Sequence, residues 1–308
     1  MSRIAFVFPG QGAQKCGMGK DFYENTEIGR SVFDRASELL GFSMPELCFE
    51  ENDRLDITEY TQAAMVTASI AMMEVLKARG VKPDVAAGLS LGEYCALVAA
   101  GVMSADDAIS TVRQRGILMQ EAVPVGEGAM AAILALDASA IEEVTGPMED
   151  VWIANYNCPG QIVISGRKAA VEEACEKLKA AGAKRALLLN VSGPFHSGML
   201  TEAGRKLGQV LENVAVSEPQ IPYVANVNAS YVRSAGEVKR LLERQVSSSV
   251  RWQQSVEAMI ADGVDTFIEI GPGKTLAGFM KKINRGVTTL NIETLEDVDK
   301  VVNALQAQ

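Results

Sequence analysis

Ser90 stands between Gly88 and Gly92 in the run GLSLG, preceded by the apolar residues Val85, Ala86 and Ala87 and followed by EYCALVAA. This is the pattern of a nucleophile elbow, where a strand turns sharply into a helix and leaves the serine Oγ clear of its own backbone. The turn is so tight that a Cβ two positions before or after the serine would strike neighbouring backbone. Glycine at both places meets that need. The amide of Leu91, at the start of the helix, would point where the oxyanion of a tetrahedral intermediate forms. The same residues also suit a plain strand-to-helix turn with a capping serine, so the motif needs a base before it becomes chemistry.

A serine hydroxyl is a poor nucleophile until a base takes its proton, and histidine is the usual base. The chain has one histidine, His196, in VSGPFHSGM. A lone histidine is often an ordinary surface or core residue, but Gly193 and Pro194 beside it mark a built turn. Gln11 lies in the PGQG loop after a first apolar run, where a side-chain amide can reach the crevice at the carboxyl ends of parallel strands; a solvated turn glutamine is the plain alternative. Arg115 sits on a helix whose apolar face is Ala108, Ile109, Val112, Gly116 and Met119, and it falls on the edge of that face. An arginine there commonly snorkels to solvent. Its guanidinium also matches a carboxylate through two parallel hydrogen bonds, which lysine cannot do. Gln245 and Asn157 carry no chemical signal by their own positions.

These residues need a scaffold, and 308 residues suffice for one large α/β domain or for such a domain carrying a smaller one. With 48% hydrophobic and 22% charged residues, a large core is expected. The net charge of -10 argues against nucleic acid as a partner, since phosphate binding needs a basic face. The opening MSRIAFVF runs into PGQG too soon for a signal peptide, and no apolar run approaches the roughly 18 residues of a membrane span. A cytoplasmic protein without a membrane partner is expected. Five scattered cysteines with no CxxC spacing suit reduced thiols, and with one histidine no metal site is expected.

Periodicity and turn signals place strands at residues 4–8 and 85–87, with helices at 61–80, 93–100 and 104–122. From 130 to 191 the order is strand 130–136, helix 138–145, strands 151–156 and 161–165, helix 168–181 and strand 185–191. That is βαββαβ, the order of a ferredoxin-like unit. Helix 197–213, extended residues 221–226, helices 235–245 and 252–262, strand 266–270, helix 276–284, strand 287–292 and helix 295–307 follow. Strands alternating with helices around the βαββαβ unit imply a mostly parallel, helix-covered sheet. The expected organisation is an α/β-hydrolase-like large domain from residues 1–125 and 196–308, with a ferredoxin-like domain of residues 126–195 inserted. His196 then lies at the junction, where loops line clefts.

Taken together, FPGQGAQ (8–14), GLSLGEYCALVAAG (88–101), QRG (114–116), NCPGQIVISG (157–166), GPFHS (193–197) and EIGPGKTL (269–276) resemble one family over almost the whole chain. That family is the malonyl-CoA:acyl-carrier-protein transacylases, the stand-alone acyltransferases of bacterial type II fatty acid synthesis. The resemblance implies Ser90 as nucleophile, His196 as its general base and acid, and an oxyanion hole of Gln11 and the Leu91 amide. It further implies that the Gln245 carbonyl orients His196, that Arg115 holds the malonyl carboxylate, and that Asn157 binds substrate. Phe195 resembles the malonyl type, since serine at that place accompanies methylmalonyl. Malonyl-CoA and acyl carrier protein are the implied partners of a monomer with no cofactor beyond the substrate thioester.

Two positions depart from the family pattern. Leu89 stands where histidine is more frequent, a position that is not the base. Ala63 stands where many members have proline, with only a local change at a helix start expected. A serine esterase or thioesterase, an acyltransferase of a polyketide pathway and a silent carrier-binding module are the competing readings. An acidic carrier meeting an acidic chain needs a local basic patch, for which Lys184 and Arg185, or Lys281, Lys282 and Arg285, are candidates.

Overall fold

The apolar runs on either side of the first helices become neighbouring parallel strands, β1 (Ile4–Phe8) and β2 (Val85–Gly88), paired from Ala5–Val85 to Phe8–Gly88. They belong to a computed structural model that describes residues 2–191 and 193–307; Met1 and Gln308, the ends of the large-domain segments read from the sequence, and Ser192 lie outside it. Between the two strands run α1 (Lys20–Asn25), α2 (Glu27–Leu40), α3 (Met44–Phe49) and α4 (Thr58–Ala78). The helix expected from residue 61 therefore begins at Thr58, and Ala63 lies in its second turn rather than at its start. α4 is buried on nearly every side, as its Ala- and Met-rich sequence allows.

After β2 come α5 (Gly92–Ala99) and α6 (Ala105–Glu121), the latter capped by Ser104, whose Oγ accepts from Asp107 N. The βαββαβ stretch is β3 (Gly128–Leu134), α7 (Ala138–Thr145), β4 (Val151–Cys158), β5 (Gln161–Arg167), α8 (Lys168–Ala180) and β6 (Arg185–Leu188). It forms its own antiparallel sheet in the order β4-β5-β3-β6. The last strand is shorter than the expected 185–191. Its ladder with β3 stops at Leu188–Ala131, with one further bond from Leu189 N to Met130 O. The apolar run that suggested a longer strand lies on a sheet edge, with Leu187, Leu188, Leu189 and Val191 exposed.

The remainder is α9 (Thr201–Glu212), β7 (Tyr223–Ala225), β8 (Ser230–Val232), α10 (Ala235–Gln245), α11 (Trp252–Ala261), β9 (Thr266–Ile270), α12 (Thr275–Ile283), β10 (Thr288–Ile292) and α13 (Leu295–Gln306). The helix read over 197–213 is in fact a 3-10 turn, Gly198–Leu200, followed by α9. Strand β8 had no sequence reading. The main sheet runs β10-β9-β1-β2-β7-β8, with only β8 antiparallel.

In β1, Phe6 and Phe8 pack into one hydrophobic layer while Ala5 and Val7 join Phe267 and Trp252 in the other. A parallel strand covered on both faces reads as a continuous apolar run for this reason. Buried Glu269 of β9 accepts from Leu276 N at 3.0 Å and Ala277 N at 2.7 Å, which caps α12 and accounts for the spacing of EIGPGKTL. β4 pairs with the segment before α11 where Tyr156 N donates to Val250 O and Val250 N to Ala154 O. Among the described residues no helix is long and apolar enough to cross a membrane.

Candidate active site

β1 and β2 end side by side, so the loops after them, carrying Gln11 and Ser90, leave the same edge of the sheet. Ser90 occupies the turn into α5 with φ 54°, a left-handed conformation that costs a non-glycine residue about 1–3 kcal/mol. A Cβ on Gly88 would lie 2.0 Å from the carbonyl of Gly92, and one on Gly92 would lie 2.3 Å from Phe8 O. The two glycines are therefore required by close backbone approach. Asn226, one residue past β7, holds the turn: its Oδ1 accepts from Ser90 N at 2.7 Å and its Nδ2 donates to Gly88 O at 2.7 Å.

His196 also has a left-handed backbone, φ 58°, and is 4% exposed. Its Nδ1 is 2.9 Å from Gln245 O and its Nε2 is 2.7 Å from Ser90 Oγ. A carbonyl only accepts, so the proton sits on Nδ1 and the Nε2 lone pair faces the serine hydroxyl. Burial first, and the Arg115 cation second, push the imidazole down to about 4. The ring is thus a neutral base at ordinary pH.

Arg115 does not snorkel. It is 1% exposed, with one terminal nitrogen donating to Gln62 Oε1 at 2.8 Å and the other to Gln245 Oε1 at 2.9 Å and Ser90 Oγ at 3.2 Å. Gly116 lets α6 approach α4 closely, since a Cβ there would meet Glu59 Cα at 2.7 Å. The sequence placed Arg115 on a face edge, but α4 and the end of α10 cover that edge. Burial disfavours the guanidinium charge, yet arginine stays protonated in proteins.

These groups border a cavity of about 890 Å³, lined by strands of the antiparallel sheet and by loops and helices that follow β1, β2 and β9. Ser90, Leu91, His196, Gln11, Arg115, Phe195 and Asn157 all reach it, and Gln245 lies behind the wall, fully buried. Gln11 Nε2 is 3.2 Å from Thr58 Oγ1. Asn157 is 6% exposed, and its side-chain oxygen has no hydrogen-bond partner among the described residues. Sequence reasoning gave Gln245 only its carbonyl and gave Gln62, Asn226 and Glu93 no role. Glu93 directly follows the elbow and was the most accessible signal; the other two act across 53 and 136 residues of chain.

A parallel sheet, a serine on an elbow, a neutral histidine and a buried guanidinium on the same oxygen define an acyl-transfer site able to hold an anionic acyl group. The chain belongs to the acyl transferase domain family, whose model matches residues 5–299. It is 47% identical over 313 residues to the malonyl CoA-acyl carrier protein transacylase of Bacillus subtilis, covering 100% of this chain and 99% of that one. The crystal structure of the malonyl CoA-acyl carrier protein transacylase from Clostridium perfringens superposes with a TM-score of 0.96 at 43% identity, covering 99% and 98% of the two chains. A malonyl-transacylase solved in complex with a type II polyketide acyl-carrier protein superposes at 0.95 with 40% identity, covering 98% of this chain and 100% of that one.

Proposed function

We propose that the chain transfers the malonyl group from malonyl-CoA to the phosphopantetheine thiol of acyl carrier protein, through a malonyl ester on Ser90, and so supplies fatty acid synthesis. One observation carries this reading: Ser90 Oγ lies 2.7 Å from His196 Nε2 and 3.2 Å from an Arg115 guanidinium nitrogen. In a malonyl thioester the carboxylate is one methylene from the carbon under attack. A cation that reaches the nucleophile itself is therefore where that carboxylate falls when the carbonyl meets Ser90. An esterase for neutral acyl groups has no use for a buried cation there, and the family match disfavours that alternative.

In the proposed reaction His196 Nε2 takes the Ser90 proton as Oγ attacks the thioester carbon. The oxyanion is held by the Gln11 side chain and the Leu91 amide. Collapse breaks the carbon–sulfur bond, and His196 returns the proton to the departing CoA sulfur. The carrier thiol, deprotonated by the same imidazole, then attacks the serine ester, and Ser90 regains its hydrogen as the carbon–oxygen bond breaks. No cofactor beyond the substrate thioester enters these steps, and we assign the reaction to a cytoplasmic monomer.

The reading takes residues 1–125 and 196–308 as an α/β-hydrolase-like domain and 126–195 as a ferredoxin-like insertion. It is supported by the βαββαβ order and by the antiparallel sheet order β4-β5-β3-β6. Brief exposure to malonyl-CoA is expected to add one malonyl group to the wild type and none to Ser90→Ala, with a burst of CoA that continues only when holo acyl carrier protein is added. Sustained CoA release without an acceptor would make the chain a hydrolase, and a labelled Ser90→Ala would remove the assigned nucleophile.

A further inference from the structure

Glu93 follows the second elbow glycine, is fully buried in the first turn of α5, and takes no part in the steps above. Its Oε2 accepts from the Gln245 side-chain amide at 2.8 Å and from Asn226 N at 3.1 Å. Its Oε1 has no hydrogen-bond partner among the described residues. A carboxylate in such a place is costly unless hydrogen bonds and an opposite charge offset its desolvation. Burial pushes Glu93 up to about 7, and Arg115 is the cation that opposes this. The two are joined through Gln245, which gives Nε2 to Glu93 and presents Oε1 to Arg115.

A side-chain amide has a donor end and an acceptor end. Were Gln245 turned over, its NH2 would face the guanidinium and its oxygen the carboxylate, donor against donor and acceptor against acceptor. Glu93, together with the Ser90 carbonyl that accepts from the same nitrogen at 2.9 Å, sets which end of Gln245 meets Arg115. The guanidinium nitrogen that Gln245 holds is the one that reaches Ser90 Oγ, while Gln62 holds the other. Losing the Gln245 contact frees Arg115 on the side that faces the nucleophile.

We propose that Glu93 is a positioning residue for malonyl transfer: by holding the Gln245 side-chain nitrogen it presents the Gln245 oxygen to Arg115 and keeps the guanidinium beside Ser90. This rests on the malonyl-transfer reading above. Full-length wild type, Glu93→Gln, Glu93→Ala and Gln245→Met are compared for kcat and KM with malonyl-CoA and holo acyl carrier protein. The rate at which a neutral sulfonyl fluoride labels Ser90 is measured on the same proteins.

Glutamine at 93 keeps an oxygen that can accept both N–H groups, so Glu93→Gln is expected to stay within about threefold of wild type. Glu93→Ala is expected to lose roughly 30-fold or more in kcat/KM for malonyl-CoA, while labelling of Ser90 changes by less than about threefold, because the neutral reagent does not use Arg115. Gln245→Met leaves the carbonyl on His196, should show the same malonyl-specific loss, and carries the test if Glu93→Ala does not fold. A Glu93→Ala/Gln245→Met double variant should lose no more than the worse single one. Equal losses in transfer and labelling, a near-normal Glu93→Ala, or a Glu93→Gln as poor as alanine would each overturn the proposal. A wild type that forms no malonyl ester would defeat the transferase reading instead, so that measurement comes first.

Discussion

Arg115 donates to Ser90 Oγ across 3.2 Å, so the proposed nucleophile contacts the proposed anion clamp and, at 2.7 Å, its proposed base His196 in one geometry. In the proposed reaction an incoming carboxylate would take the guanidinium nitrogen that the hydroxyl now shares.

Removing one member of a desolvated ion pair costs about 2 to 5 kcal/mol. Arg115→Ala is accordingly expected to lower kcat/KM for malonyl-CoA roughly 30-fold or more. Acetyl-CoA has no carboxylate to lose a partner, so its kcat/KM should change little or rise. Both thioesters are measured on both proteins. A fall by the same factor for each would make Arg115 a structural residue.

His196 acts as a base only when neutral, so activity is present above its folded pKa and lost as pH falls through it. With the imidazole pushed down to about 4 by burial and by Arg115, kcat/KM should hold through pH 5 and fall only below it. Arg115→Ala removes one of the two causes and should move this acid limb to higher pH, whereas Arg115→Lys should leave it near the wild-type position. A wild-type limb at the ordinary histidine value of about 6.5 would contradict the buried, neutral base.

The elbow was legible because its constraint is local: Gly88, Ser90 and Gly92 collide or fit within a few residues of chain and the end of β1. His196 was legible because no other histidine exists. The side of α6 that carries Arg115 followed from helical spacing, but its burial did not, since that depends on Gln62 and Gln245 arriving from other elements. Asn226 was invisible for the same reason, and Glu93, though next to the elbow, gave no sign of what it holds. Their types are common in loops and helix starts, and only the folded chain brings one to Ser90 N and the other to Gln245. In the fold, α1 to α3 had no sequence reading, and β6 was drawn too long because an apolar run does not reveal whether anything covers it.

Carrier docking turns on local charge. Lys184, Arg185, Lys281, Lys282 and Arg285 are exposed, and Lys282 Nζ reaches Gln161 Oε1, a residue of the cavity wall, at 3.3 Å. Reversing Lys184 and Arg185, or Lys281 and Lys282, to glutamate should raise KM for acyl carrier protein and leave KM for malonyl-CoA unchanged. Equal effects on both substrates, or none, would refute these patches as carrier contacts.

Phe195 adjoins His196, is 7% exposed and lines the cavity while packing into the main core. Gly193 makes room for its ring, since a Cβ there would lie 3.2 Å from it. Packed into the dense core, the ring has little room to withdraw when a bulkier acyl group enters. An α-methyl on the malonyl chain adds a branch at the carbon between the Ser90 ester and the carboxylate held by Arg115, next to the base. Phe195→Ser removes the ring and opens that space. The expected result is a rise in kcat/KM for methylmalonyl-CoA relative to malonyl-CoA, with the acid limb unmoved because His196 and Arg115 stay in place. The same change leaves a void in the core, and truncating a buried phenyl ring typically costs about 3 to 5 kcal/mol, so the melting temperature should fall as specificity widens. A destabilised variant whose malonyl to methylmalonyl ratio is unchanged would show that Phe195 is only a packing residue, and that acyl choice at the α-carbon is set elsewhere in the cavity.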